Sequence, residues 1–124
     1  MTRYAFEYVV LRVVPRVERG ESINAGVLVY CRDVDYLGAA VHLDRARLEA
    51  LDPTVDVAAV KAVLASVTDS CERSETDHGA LFRWLTAPRS TVVQAGPVHT
   101  GLTTDPAAEP ARLLQLLVLP VGRS

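Results

Sequence analysis

The sequence predicts an α+β protein: an antiparallel three- to four-stranded sheet, an N-terminal meander plus a later strand, packed against two to four helices. Three observations carry this prediction. Residues 4–14 and 22–32 are rich in β-branched and aromatic side chains and are joined by a short charged link. Asp44 and Asp52-Pro53 signal helix starts, and Val57, Val60, Leu64, Val67 and Cys71 then recur at helical spacing. The 124 residues suit one domain, 1–124.

The first run, Tyr4 to Val14, stops at Pro15 and is apolar on both faces, as a central strand should be. Tyr4, Phe6, Tyr8 and Val10 share one face with Arg12, and Val9, Leu11 and Val13 share the other with Glu7. Residues 16–21 make a charged hairpin link with Gly20 free to take positive φ. In the second strand Ile23, Ala25, Val27, Val29 and Cys31 fall on one face by strict alternation. Asp33 to Asp35 mark a turn, and residues 36–43 complete the meander. Asp44 caps a short helix over 45–51. Asp52, with Pro53 at the first helical position, is expected to start the long helix, about 53–73. Residues 79–86 form a further short helix anchored by Leu81, Phe82, Trp84 and Leu85. A fourth strand is expected at 91–95, followed by an ordered loop of residues 96–105. The last helix starts near Pro110, buries Leu113, Leu114, Leu116 and Leu117, and ends by Pro120.

Composition narrows the function classes. Hydrophobic residues make up 49% and charged residues 23%, a globular balance that argues against disorder. A net charge of −2 and a pI near 5.9 weigh against a broad nucleic-acid surface. No apolar run is long enough to span a membrane, so no membrane contact is expected. No basic segment leads into a long apolar run at the N-terminus, and the expected location is cytoplasmic. Cys31 and Cys71 are expected as reduced core thiols. His42, His78 and His99 lie far apart in sequence, so no metal site is expected, and no cofactor motif occurs. The sequence patterns of nucleotide-binding loops, zinc proteases and serine hydrolases are absent.

Two constellations remain as candidate binding residues. The first is Arg16, Glu18 and Glu21, with Arg19 between them and Asn24 just inside the second strand. Its plain reading is a solvated hairpin loop. Its functional reading is an arginine–carboxylate site, with the planar guanidinium matched to carboxylate or phosphate. Asn24 is an amide in an apolar strand, and its expected role is to tie down this loop or the 96–101 segment. The second constellation is Arg89 and Ser90, running on to His99 and Thr100 among glycines and prolines. Its plain reading is a structured loop, and its functional reading is an anion site. The two segments are expected at the same end of the sheet.

The stretch from Glu7 through Pro15, then Arg16, Glu18 and Glu21, then Ile23-Asn24-Ala25-Gly26-Val27-Leu28, resembles the bacterial domain-of-unknown-function family 3037. Pro88-Arg89-Ser90, Gln94 and Gly96 through Gly101 are similar to that family's second signature. Ala25 stands where the resemblance implies valine, and Pro110 interrupts the implied helix start. The resemblance implies a short cytosolic bacterial protein of uncharacterised function. It also implies a partner or regulatory role beside a HipA-like kinase, and it carries no catalytic assignment.

The leading expectation is therefore a non-catalytic interaction or regulatory partner of another protein such as a HipA-like kinase. The alternative is a phosphate- or nucleotide-binding module, or a metal-assisted enzyme, using Arg16, Glu21, Arg89 and His99. A homo-oligomer joined at a sheet edge is a third expectation.

Overall fold

The computed structural model describes residues 1–89 and 91–122. Strands β1 (Tyr4–Val13), β2 (Ile23–Cys31) and β3 (Tyr36–Val41) form the antiparallel meander. The first turn uses Gly20 at φ +70°, where its N–H reaches the carbonyls of Arg16 and Val17. The second turn places Asp35 at φ +51°, a conformation that aspartate tolerates better than most side chains. On its other side β1 pairs antiparallel with β4 (Val93–Ala95) and β5 (His99–Thr103). The strand order is β3-β2-β1-β4, with β5 also against β1. The sheet thus has five strands, and residues 99–103 form a strand where the sequence suggested a loop. Thr, Gly and a single Leu give a weak strand signal there. Gly101 is what fits: a Cβ at that position would lie 2.8 Å from the Phe6 ring. Gly96, Pro97 and Val98 interrupt the edge between β4 and β5.

A β-bulge corrects the expected facing of β2. Leu11 pairs with Gly26 but Arg12 pairs with Asn24, which leaves Ala25 as an extra residue. The extra residue reverses the alternation. Ile23 and Ala25 pack with Leu48, Val57, Val60 and Leu64 on one face. Val27, Val29 and Cys31 pack with Phe6, Leu113 and Val118 on the other.

Helices α1 (Arg45–Leu51), α2 (Val57–Arg73) and α3 (His78–Thr86) cover the first face, and α4 (Glu109–Leu117) covers part of the second. Asp44, Asp56 and Asp77 cap α1, α2 and α3, each accepting a backbone N–H in the first turn. The α2 cap is Asp56, four residues beyond the expected Asp52. The Asp52 carboxylate is taken instead by the N–H and hydroxyl of Thr54, so the chain turns before the helix begins. The α2 stripe of Val57, Val60, Leu64, Val67 and Cys71 is buried as its spacing requires. A 3₁₀ turn, Pro106–Ala108, leads into α4. Pro110 sits in the first helical turn, where a missing N–H costs nothing. The buried face of α4 is narrower than expected: Leu113 is buried and Leu114 half-buried, whereas Leu116 and Leu117 are exposed. Glu109, itself buried, is neutralised one turn on by Arg112, whose Nε donates to both carboxylate oxygens. Among the described residues no helix is long and apolar enough to cross a membrane.

Candidate functional site

The described candidate residues separate into four places. Arg16 Nε lies 3.5 Å from Asp52 Oδ2, and its Nη1 lies 3.7 Å from Glu18. The guanidinium therefore ties the β1–β2 link to the end of α1. Hydrogen bonds from Thr54, assisted by Arg16, hold the nearly buried Asp52 carboxyl below the usual carboxylate range. Glu21 accepts from Arg19 Nε in the same exposed link. Asn24 is half-buried, less enclosed than an amide in an apolar strand leads one to expect. Its Nδ2 donates to the Leu117 carbonyl at 2.9 Å, so it anchors the end of α4 and neither of the two loops expected. The bulge explains the change of partner, because it turns Asn24 toward the α4 face.

Arg89 lies three residues past the end of α3 and folds back onto it. Its Nη2 donates to the Trp84 carbonyl at 2.6 Å, and its guanidinium lies 4.3 Å over the indole ring. His99 pairs with Tyr8 across the sheet, with ring centroids 5.3 Å apart, and Thr100 faces Glu7. Both are exposed. Ser90 lies outside the described residues. The start of the second segment does reach the Arg16 end, since Val14 N–H donates to Val92 O. His99 does not, because Tyr8 is about 17 Å of strand rise from Val13. That separation is too long for one small anion to bridge Arg16 and His99.

Cys31, Cys71 and His78 are engaged within the fold. Cys71 is buried, which pushes its thiol up to about 11 and keeps it protonated. Cys31 donates to the Ala5 carbonyl from the opposite face. Both His78 nitrogens meet acceptors: Nε2 the Ser74 carbonyl at 3.0 Å, Nδ1 the Asp35 carboxylate at 2.8 Å. Those bonds, the Ser74 contact foremost, raise its pKa above the ordinary histidine value. His78 so bolts the β2–β3 turn to the end of α2. Among the described residues no group of three or more His, Cys, Asp or Glu is placed to hold a metal ion.

The most developed concavity is one the sequence reading missed. A groove of about 680 Å³ runs between α2 and residues 84–89 and 91–95. Its floor includes Leu11, Val60, Val67 and Val93, the residues that join β1 and β4 to α2. Its rim carries Val63, 46% exposed, Trp84, 63% exposed, and Val92, 39% exposed. Asp56 and Arg89 are the charged residues on its wall, and both are engaged, one capping α2 and the other stacked on Trp84. The chemistry of such a surface suits aliphatic or aromatic side chains. The sequence did hold a signal. Val63 lies off the buried stripe of α2, an apolar residue the core does not use. Trp84 was expected as an anchor of its helix, but Phe82 fills that place and Trp84 faces out.

Fold and groove together define an α+β sheet protein with a ligand-sized apolar cleft. The family model described as "Protein of unknown function (DUF3037)" matches residues 8–118, and the chain belongs to that family. No curated protein and no solved structure matches it.

Proposed function

We propose that this protein is a non-catalytic interaction module of the bacterial cytoplasm, and that its groove receives an apolar segment of a partner protein of the HipA-like kinase class. The observation that carries the reading is the groove's rim. Val63, Trp84 and Val92 stand exposed around one concavity above a buried apolar floor. Exposed apolar residues are ordinary when scattered, but their clustering about a cleft marks a binding surface. The Arg89–Trp84 stack holds a large ring at the rim with its rotamer already restricted, which lowers the entropy cost of binding. The partner class rests on the family resemblance alone. The phosphate-binding reading has less support, because Arg16 and Arg89 are engaged within the protein and His99 is set apart from the Arg16 loop.

The test is isothermal titration of the purified protein with a HipA-like kinase from the same host. A saturable complex is expected, weakened about thirtyfold or more by Val63→Glu, the effect of losing ~2 kcal/mol at a central contact. Val63 is half-exposed on a helix, so this variant should melt like the wild type. Absence of binding, or a complex indifferent to Val63→Glu, overturns the reading. Heat on titrating nucleotide with Mg²⁺ would favour the phosphate-binding alternative instead.

A further inference from the structure

We infer that the free edge of β3 is the contact between two copies of this chain, paired antiparallel about a two-fold axis at Ala39. The two edges of the sheet differ. The β4–β5 edge is broken by Gly96, Pro97 and Val98, a device that discourages strand addition. β3, at the other edge, reads Tyr-Leu-Gly-Ala-Ala-Val, with no charge, no proline and no bulge. All its residues but Leu37 are half-buried.

The ladder fixes which groups are free. His42 N–H donates to Ala25 O, so the even residues of β3 turn toward β2. Leu37, Ala39 and Val41 then turn their N–H and C=O groups outward. No turn, cap or loop bond of the described residues engages them.

The sequence selects the second copy as occupant. Tyr36-Leu37-Gly38-Ala39-Ala40-Val41-His42 runs ring, branched aliphatic, three small residues, branched aliphatic, ring. It is a palindrome of side-chain size centred on Ala39. Antiparallel pairing about Ala39 sets Leu37 opposite Val41, Gly38 opposite Ala40 and Tyr36 opposite His42. The register also opposes outward residues to outward residues, so each of those pairs exchanges two hydrogen bonds. No acidic or basic residue lies within β3 to repel its counterpart. A pair that matches the same patch on both partners is the closed, isologous arrangement that dimers adopt.

The experiment is light scattering after size exclusion across the micromolar range, on the full chain and on Ala39→Pro. Proline at 39 removes an outward N–H and leaves the β2–β3 bonds in place, so the variant should fold. The wild type is expected at twice its 13.4 kDa chain mass and Ala39→Pro at the single-chain mass with an unchanged circular dichroism spectrum. A monomeric wild type, or a folded Ala39→Pro that stays dimeric, overturns the inference. Should Ala39→Pro fail to fold, amide exchange in the wild type decides. The Ala39 and Val41 N–H groups should be protected and lose protection on dilution, whereas fast exchange at every concentration refutes the contact. Val63→Glu, in the groove, should leave the dimer mass unchanged, so this contact and the groove fail independently.

Discussion

Gly26 sits where the bulge reverses β2, and replacing it by alanine tests that geometry. A Cβ there would lie 2.9 Å from Val41 Cγ1, 3.0 Å from the Ala40 carbonyl oxygen and 3.3 Å from Leu11 Cδ1. The Val41 methyl can rotate away. The Ala40 carbonyl cannot, because alternation turns it into the β2–β3 ladder, and moving it loosens that pairing. Overpacking of this kind costs about 1–3 kcal/mol. Alanine recovers about 0.5–1 kcal/mol of the backbone entropy that glycine loses in a strand. The net expectation is a loss of roughly 1–2 kcal/mol. With an m-value of about 2 kcal/mol/M, the urea midpoint should fall by roughly 0.5–1 M at unchanged m. Trimming Val41 to alanine in the same chain should not restore the loss, since the backbone contact persists. A Gly26→Ala midpoint equal to or above wild type would show room for a Cβ at the bulge and would refute the close β2–β3 approach on which the reversal rests.

Leu64, 2% exposed on the α2 stripe, should cost about 2–5 kcal/mol on replacement by alanine, from lost burial plus a cavity, measured by urea unfolding. Arg112→Met leaves the buried Glu109 without its counter-charge; because Arg112 is half-exposed the loss should be about 1–2 kcal/mol, below that of a fully buried pair, and Glu109→Gln in the same chain should recover part of it. His78 has a raised pKa through its bonds to Ser74 and Asp35, so its contribution is fully present below the unfolded value of 6.5 and lost as pH rises through the folded pKa. Stability should therefore decline as pH is raised past that value, and His78→Gln should remove this part of the slope; an unchanged profile would show that the imidazolium does not hold the turn.

Much of the fold was legible because local signals and packing agree. Alternation revealed β1 to β3, and Asp44 with the stripe from Val57 to Cys71 revealed α1 and the body of α2. The misses arise where two local readings are equally good. Asp52 and Asp56 are both credible caps, and only Thr54's claim on Asp52 decides between them. The bulge leaves no mark, since Ala25 and Gly26 suit either face. β5 is invisible without Phe6, whose ring needs the bare Cα of Gly101. Of the candidate site, Asn24 makes the backbone bond anticipated for it, with another partner. Arginines in loops look alike in sequence whether they bind ligands or tie elements together, and Arg16 and Arg89 do the second.

The groove and the β3 edge occupy opposite ends of the strand order, and that placement joins the two proposals. β4 forms one wall of the groove, while β3 is the far strand of the same sheet. A copy paired through β3 therefore lies away from the β4 wall of the groove, while the other wall, α2, packs on β3 as well. In the pair the strands run β4-β1-β2-β3 and then the same order reversed in the second copy. At ~4.8 Å between strands the two β4 strands lie about 34 Å apart across the sheet. Two-fold symmetry turns both grooves to related positions at the outer margins of one continuous sheet. A partner that is itself a dimer can then engage both grooves at once, and the second contact forms at the high effective concentration set by the first. Ala39→Pro should consequently weaken binding of a dimeric partner while leaving each single groove's affinity unchanged, a distinction that titration with a monomeric fragment of the partner reads directly.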